Sequence, residues 1–272
     1  WLWPFSTMGW PEETETLKKF YPTDFLVTGP DIIFFWVARM VFAGIEFRGE
    51  LPFKDVYFTS MVRDMQGRKL SKSLGDSPDP VRVMETFGAD ALRYAIVSLA
   101  PLGQDVRFAE EKCELGRNFN NKLWNTARFT LMHLEKGSSE SADASALTLE
   151  DRWILSRFHH NAERVSKALD EFEFTAAIHS LYEFTWNELC DWYIEFIKPR
   201  LVEGADPESA QAARHTLKTV YLGTLKLLHP FIPFVTEEIF ESLKVADPAI
   251  DPSRHLIVSV WPKADPRLID KA

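Results

Sequence analysis

Cysteine is scarce in this sequence of 272 residues, and its placement argues against both a disulfide-stabilised fold and a zinc site. The two cysteines, Cys113 and Cys190, lie far apart, and neither has a second thiol nearby. Such spacing fits neither a disulfide framework nor a zinc site. We therefore predict two buried thiols in a reducing compartment.

Long hydrophobic runs are also missing. Charged residues such as Asp31 and Arg39 interrupt the most apolar stretches, so no segment reaches the roughly 18 apolar residues of a membrane span. The opening residues Trp1–Phe5 resemble neither a protein start nor a signal peptide, which predicts a piece excised from a longer protein. A composition of 46% hydrophobic and 26% charged residues still predicts a folded core.

A general excess of positive charge is the third absence. The net charge is −9, which by itself argues against a polyanionic partner. Residues 1–60 carry 5 basic and 8 acidic groups, residues 61–134 carry 11 and 9, and residues 135–272 carry 15 and 23. A polyanion would therefore need a local patch, and the middle of the chain is the basic part.

The first 60 residues alternate strand and helix patterns. Phe25–Thr28 is a short apolar run closed by Gly29 and Pro30, and Val56–Thr59 is a second run of this kind. Between them, Asp31–Gly44 has an apolar helical pattern with Asp31 placed to cap it. Strand, helix and strand at this spacing predict a parallel α/β sheet.

Helical patterns dominate the rest of the chain. Residues 136–149 are small and polar, which is typical of a linker, and the helices after it predict a bundle. The second helix of the bundle is apolar on more than one face, so we expect it to be central. The helical patterns cover Val81–Leu99, Ala109–Leu134, Ile154–Leu169, Phe174–Phe196, Ala212–Leu228 and Val235–Leu243, and Leu256–Val260 is a β-like tail.

The segment from Arg68 to Gly75 concentrates cations and hydroxyl groups between two glycines. Lysine supplies a mobile point charge suited to phosphate oxygens, and serine adds donors. The segment follows a predicted strand, where α/β sheets bind ligands. It is not a Walker loop, because no glycine directly precedes the Lys72-Ser73 pair. From the pattern alone, a solvated basic loop remains the alternative.

Lys69-Leu70-Ser71-Lys72-Ser73 resembles the KMSKS signature of class I aminoacyl-tRNA synthetases, with Leu70 in place of methionine. The resemblance implies that Lys69, Ser71, Lys72 and Ser73 bind the phosphates of ATP and that Lys69 and Lys72 are catalytic. It also implies Mg²⁺ on the phosphates, for which we assign no protein ligand. Asp76 stands where the family usually has asparagine, which puts an acid near the phosphates.

Several other segments resemble the valyl-tRNA synthetases of this class. They are Trp3–Pro11, Thr28–Met40, Gly88–Tyr94, Asn118–Asn125 and His229–Glu238. The resemblance implies an α/β part, residues 1–108, that is the C-terminal part of a Rossmann-like nucleotide-binding domain. An all-α bundle of the anticodon-binding type, residues 109–272, would follow.

The implied activity is that of a valine–tRNA ligase in the full-length parent. Its partners would be valine, ATP and tRNA(Val), and the enzyme would be a cytoplasmic monomer. Two alternatives stay open at this point: an isoleucyl- or leucyl-type enzyme, and a non-catalytic tRNA-binding module.

Asp31 is the candidate residue on the amino-acid side. A carboxylate at a strand-to-helix turn suits the α-ammonium of a free amino acid, although the pattern alone favours a simple helix cap. The resemblance implies ammonium binding by Asp31, with Ile32 against the side chain of valine. We expect the nearby aromatic residues to be core, namely Trp1, Trp3, Trp10, Phe34 and Trp36.

Four polar residues of the helix Ala109–Leu134 recur at intervals of four, four and three, and therefore share one face. Arginine and asparagine on an exposed face suit ribose and phosphate contacts, although an ordinary solvated face is the alternative. The resemblance implies that this face touches tRNA. The four residues are Arg117, Asn121, Asn125 and Arg128, roughly opposite Leu115, Phe119, Leu123 and Ala127.

The sequence contains no His-Ile-Gly-His signature, which is the other ATP motif of the family. The inserted editing domain and the C-terminal coiled-coil arm of the valine enzymes are not found in it either. We therefore expect the chain alone to be inactive in aminoacylation.

Overall fold

The computed structural model describes residues 1–68, 70, 78–101, 103–134, 144–247, 250–251 and 253–270. The chain divides into two compact units. The first comprises Trp1–Arg63 and Leu102–Val106, and the second comprises Asp64–Pro101 and Arg107–Ala272. These units divide the chain at positions other than the predicted boundary after residue 108.

Two parallel strands are the centre of the first unit. Strand β1, Thr23–Thr28, pairs with β2, Phe53–Phe58, in a register that sets Thr23 opposite Phe53 and Thr28 opposite Phe58. The predicted parallel pair is therefore confirmed. This unit also contains helices α1, Trp3–Ser6, and α2, Glu15–Phe20, and strand β3, Val62–Arg63, which pairs with β4, Val106–Arg107.

The connection between β1 and β2 contains three types of helix. A 3₁₀ turn, Pro30–Ile32, leads into a π-helical segment, Ile33–Val37, and then into helix α3, Ala38–Arg48. The predicted helical connection after Asp31 is confirmed, but only its last part, α3, is a regular α-helix. The three helix types differ in hydrogen-bond span, which apolar spacing over a few residues does not reveal.

The aromatic residues near the start of the chain correct an expectation. Trp1, Trp3 and Phe34 are 58%, 76% and 81% exposed, and Trp36 is 38% exposed, so they are not core. Trp10 alone of the five packs against a buried cluster, formed by Phe5, Leu17, Tyr21 and Ala43. Ile33–Val37 is apolar at every position. Because only one face of a surface helix packs against the protein core, most side chains of this run are exposed.

The second unit is helical. Its helices are α4, Pro80–Phe87; α5, Ala89–Leu99; α6, Cys113–His133; α7, Leu149–Asp170; α8, Phe174–Glu183; α9, Ile194–Ile197; α10, Pro207–Leu228; and α11, Pro233–Ala246. A π-helical segment, Phe184–Tyr193, joins α8 to α9, and 3₁₀ turns cover Glu110–Lys112, Ala144–Ala146, Lys198–Arg200, Leu256–Val258 and Pro266–Leu268. The predicted bundle is confirmed, and helices α5 and α6 contribute Tyr94, Phe119 and Leu123 to its core.

Three details of the second unit differ from the predictions. The helix predicted over Val81–Leu99 is two helices, because Gly88 adopts a φ of 94° between them. Leu256–Val258 forms a 3₁₀ turn rather than a strand, with the Ser259 N–H donating to the Leu256 carbonyl at 2.9 Å. β-prone residues need a neighbouring strand to pair with, and none lies beside this segment in the part of the chain that is described.

Exposure also corrects the predicted core of the second unit. Trp192 and Phe196 are 57% and 44% exposed, so the segment that the sequence marks as central is buried on one face and open on the other. Leu115 is 57% exposed as well, whereas Phe119, Leu123 and Ala127 are buried as predicted.

Both cysteines are free and buried, as predicted. Burial raises the pKa of the Cys190 thiol to about 11, which keeps it protonated. Among the described residues, no helix combines the length and apolarity needed to cross a bilayer.

Candidate functional site

Asp31 and Ile32 lie just beyond the carboxyl end of β1, in the 3₁₀ turn that begins the crossover to β2. Both side chains are exposed, Ile32 at 36%. Open α/β sheets bind ligands at this edge, because the strand ends there leave backbone groups and loop side chains accessible. The first unit therefore presents a carboxylate and a branched apolar side chain next to each other at the carboxyl end of β1.

The N-cap of this turn is Gly29 rather than Asp31, and no side chain caps it. The Asp31 carboxylate instead folds back over Gly29: a β-carbon built on Gly29 would lie 2.7 Å from Asp31 Oδ1. The backbone of Gly29 is extended at φ −78° and ψ 147°, a conformation open to any residue. A side chain at residue 29 would therefore require the exposed Asp31 carboxylate to move, and Asp31 is not the N-cap of this turn.

The candidate phosphate-binding residues Lys69, Ser71, Lys72 and Ser73 lie outside the described residues, so their assignment stays a prediction. Both flanks of the segment are described. On the N-terminal side, Asp64 Oδ1 accepts the Arg68 N–H at 2.8 Å, and the Arg68 carbonyl accepts the Asp64 N–H at 3.0 Å. On the C-terminal side, Asp79 caps helix α4 by accepting the Val81 N–H at 3.0 Å. An aspartate thus closes a turn or a helix at each end of the lysine-rich segment.

In the Asp64 turn, the aspartate carboxylate is paired with Arg68. Burial acts to raise the pKa of the Asp64 carboxyl, but hydrogen bonds from the backbone and side chain of Arg68 outweigh it and lower the pKa. Gly67 sits in the turn at a φ of 84°, which favours glycine. The Arg68 guanidinium is therefore engaged with Asp64.

The predicted RNA face of α6 is exposed along its length. Arg117, Asn121, Asn125 and Arg128 are all solvent-exposed, and the buried residues of α6 lie on another side of the helix. Arg117 forms an ion pair with Glu114 at 3.6 Å and lies over the ring of Phe87. No described residue forms an ion pair with Arg128. The face thus offers cations and amide groups to a polyanion, with one cation partly neutralised.

An exposed aromatic group on the second unit escaped the sequence analysis. Trp153, Trp192 and Phe196 lie close together, with ring centroids of Trp192 and Phe196 5.6 Å apart, beside a cavity of about 500 Å³ that Leu149 and Glu150 complete. The spacing of Trp192 and Phe196, one helical turn apart, was the available signal. This spacing does not distinguish an exposed aromatic pair from a buried one, because exposed and buried faces of a helix have the same period.

One acid-rich cluster has the spacing of a possible metal site. Within the described residues, Glu237, Glu241 and His255 lie close enough together to share an ion. Their carboxylates are already engaged: Glu237 accepts the Leu256 N–H at 3.1 Å and Glu241 pairs with Lys244 at 2.6 Å. This cluster is explained by the packing of the tail onto α11, and it does not resemble a phosphate-bound Mg²⁺ site.

Comparisons with known proteins agree with the two parts of the chain. Residues 1–109 match the family described as tRNA synthetases class I (I, L, M and V), and residues 151–272 match the anticodon-binding domain of tRNA ligase. Residues 1–109 therefore belong to the class I tRNA synthetase family, and residues 151–272 belong to the anticodon-binding family of tRNA ligases.

Within that family, the chain is similar to valine–tRNA ligases. The valine–tRNA ligase of Carboxydothermus hydrogenoformans is 51% identical over 96% of the chain, and that of Chlorobaculum tepidum is 49% identical over 89% of it. The chain spans 29% and 28% of the length of these two relatives.

A solved structure shares the fold. The methionyl-tRNA synthetase of Mycobacterium tuberculosis in complex with methionyl-adenylate matches 92% of this chain and 51% of its own length, with a TM-score of 0.70 and 24% sequence identity. The likeness covers both the α/β part and the helical part.

Proposed function

We propose that the full-length protein carrying this sequence joins valine to tRNA(Val) at the expense of ATP. The observation that carries this proposal is the identity of about half of the residues to valine–tRNA ligases along nearly the whole chain. The choice of valine over isoleucine or leucine rests on this identity, because the matching family model covers the I, L, M and V enzymes alike. The family also implies a cytoplasmic monomer. The two family matches support a division into a catalytic part ending near residue 108 and an anticodon-binding part after it.

Asp31 and Ile32 would bind the amino acid. A carboxylate beside the edge of a parallel sheet can accept hydrogen bonds from the α-ammonium, and Ile32 offers a branched apolar surface next to it. This arrangement selects a small apolar amino acid by contact area rather than by hydrogen bonding. Such contacts discriminate by only about 1–3 kcal/mol per methylene.

Lys69 and Lys72, with Ser71 and Ser73, would bind the phosphates of ATP. In the first step, a carboxylate oxygen of valine attacks the α-phosphorus, the bond to the bridging oxygen breaks, and pyrophosphate leaves. The lysine ammonium groups would neutralise charge that moves onto the pyrophosphate, and Mg²⁺ would arrive with the phosphates. In the second step, a terminal ribose hydroxyl of tRNA displaces AMP.

The exposed face of α6 would contact tRNA through Arg117, Asn121, Asn125 and Arg128. Phosphate and ribose contacts from such a face set orientation rather than sequence. The acidic balance of residues 135–272 limits the contact to a narrow surface, so we infer a modest salt dependence of binding.

Pyrophosphate exchange tests the proposal. A full-length valine–tRNA ligase carrying this sequence should exchange pyrophosphate into ATP with valine, and much less with isoleucine or leucine. Lys72→Ala should abolish most of this exchange. Exchange that depends on isoleucine or leucine instead, or normal exchange by the Lys72→Ala variant with weakened tRNA binding, would contradict the proposal.

The role of Asp31 is tested by Asp31→Asn, with Asp24→Asn at the other end of β1 as the matched control. Loss of a charge-assisted hydrogen bond of about 1.5–3 kcal/mol should raise the KM for valine between about tenfold and 100-fold, with the KM for ATP unchanged. An unchanged KM for valine in Asp31→Asn would remove Asp31 from the site.

A further inference from the structure

The corner between helices α10 and α11 lacks a conventional cap. Pro230 and Pro233 have no backbone N–H to donate. The N-cap of α11, Ile232, has no side-chain oxygen to accept hydrogen bonds from the free N–H groups of the first turn. Two carbonyl groups of the corner itself, those of Pro230 and Phe231, also accept hydrogen bonds. The N–H groups at the start of α11 and these carbonyl groups find partners on α5, more than 130 residues earlier in the chain.

Asp90 acts as the missing N-cap. Its Oδ2 accepts the Val235 N–H at 2.7 Å, and its Oδ1 accepts the Phe234 N–H at 3.3 Å. Asp90 is only 5% exposed, and burial raises its pKa although these hydrogen bonds and Arg93 act to lower it. A negative charge at this helix N-terminus is also favoured by the helix dipole.

Arg93, one helical turn after Asp90, serves the other side of the corner. Its Nη2 donates to the Pro230 carbonyl and its Nε to the Phe231 carbonyl, each at 2.9 Å. The planar guanidinium makes both contacts with one rigid group, which a lysine ammonium cannot reproduce. We call Asp90 and Arg93 together the corner clamp.

Helix α5 is held to the bundle on two further sides. The Thr175 hydroxyl on α8 donates to the Val97 carbonyl at 2.8 Å. On α6, a β-carbon at Gly116 would lie 2.7 Å from the Ala91 carbonyl oxygen, so the two helix backbones are in direct contact. Helix α4 connects to α5 through Gly88, and α4 begins at Pro80, just after the lysine-rich segment.

We propose that Asp90 and Arg93 are positioning residues for the ATP step, because the corner clamp fixes α4 and α5 on the helical unit and with them the C-terminal attachment of the lysine-rich segment. The inference rests on the proposed function. The clamp does not touch substrate. It holds the helix that follows the segment in the chain, so its loss should lower the rate of adenylate formation rather than the affinity for valine.

The test uses a full-length valine–tRNA ligase carrying this sequence, with the variants Arg93→Met, Arg93→Lys and Asp90→Asn. Arg93→Met should lower kcat for valine-dependent pyrophosphate exchange between about tenfold and 100-fold with the KM for valine unchanged, since small misplacements of catalytic groups have effects of this size. Arg93→Lys and Asp90→Asn should fall between Arg93→Met and the unaltered protein. Deuterium uptake should rise in peptides from Pro80–Leu99 and not in Leu149–Asp170.

Arg157→Met is the matched control, because it removes a similar two-pronged contact, to Glu188 at 2.6 and 2.7 Å, elsewhere in the same unit. Equal losses of kcat in Arg157→Met and Arg93→Met would mean general destabilisation and would overturn the proposal. So would raised uptake in Pro80–Leu99 with unchanged kcat, or unchanged uptake there. If the unaltered protein exchanges pyrophosphate with another amino acid instead of valine, the proposed function fails, and the same comparison with that amino acid still decides the role of the clamp.

Discussion

At the scale of single residues, the Arg200 guanidinium uses all five of its N–H donors inside the helical unit. It donates to both carboxylate oxygens of Asp151 at 2.9 and 2.8 Å, to the Thr148 hydroxyl at 3.0 Å, and to the hydroxyl and carbonyl oxygens of Ser209, each at 2.8 Å. The Tyr193 hydroxyl donates to Asp151 at 2.6 Å. This network joins the starts of α7 and α10 to the end of the π-helical segment.

Arg200→Met should destabilise the protein by about 3–5 kcal/mol, because it leaves the Asp151 carboxylate buried without its partner. Urea unfolding followed by circular dichroism measures the change. The control is Lys198→Met, which removes an exposed ion pair with Glu195 and should cost less than about 1 kcal/mol. Equal effects of the two substitutions would contradict this account of the network.

At acid pH the unfolding free energies of the unaltered protein and of Arg200→Met should become more similar. Burial acts to raise the pKa of Asp151, but hydrogen bonds from Arg200, Tyr193 and Thr148 outweigh it, so the folded pKa lies below the ordinary value of 3.8. Such a carboxylate stabilises the fold above its unfolded pKa, and the stabilisation is lost as the pH falls through the folded pKa. The gap in unfolding free energy between the unaltered protein and Arg200→Met should therefore narrow below about pH 4. A gap that is constant from pH 7 to pH 3 would show that the carboxylate charge does not matter.

At the scale of elements, the packing of α5 on α6 depends on a missing side chain. A β-carbon at Gly116 would lie 2.7 and 2.8 Å from the carbonyl oxygen and Cα of Ala91, which are backbone atoms that cannot turn away. Glycine inside a helix usually costs about 1 kcal/mol relative to alanine. Its presence here is explained by the close approach of the two helices.

Gly116→Ala should therefore destabilise the protein by about 1–3 kcal/mol, against the intrinsic preference of helices for alanine. Asn118→Ala, at an exposed position of the same helix, should instead be neutral or stabilising by a few tenths of a kcal/mol. Thermal and urea unfolding of both variants would check the opposite signs. A more stable Gly116→Ala variant would mean that the helices are not in backbone contact.

At the scale of the whole molecule, the chain joins two kinds of part. An α/β unit with two parallel strands carries Asp31, and a helical unit contains the flanks of the lysine-rich segment and the candidate RNA face. The chain spans less than a third of the length of the valine–tRNA ligases that it matches. Its sequence has no His-Ile-Gly-His motif, the other ATP signature that the proposed function would require.

The chain of 272 residues should accordingly show no valine-dependent pyrophosphate exchange under conditions in which the full-length protein is active. Both would be assayed at equal concentration with saturating ATP and valine. Exchange by the chain above the background without valine would show that the residues present here suffice for adenylate formation.

The sequence predicted the pattern of elements well where local periodicity carries the information. The parallel strands around Phe25–Thr28 and Val56–Thr59 and the helical bundle were found this way. Exposure was predicted less well: the sequence predicts a core position for Phe34 and a central position for the helix that contains Trp192, yet both side chains are largely exposed. Apolar periodicity shows which residues share a face, but what covers that face depends on elements distant in sequence.

Local order along the chain therefore determined the paired strands β1 and β2, most of the helices, the two isolated thiols and the cation-rich segment, because each depends on neighbours within a few residues. Only the folded structure decided that Asp90 caps a helix beginning 143 residues later at Pro233, and that Arg200 pairs with Asp151. Such partners are chosen by the packing of whole helices, which brings together side chains that no spacing in the sequence relates.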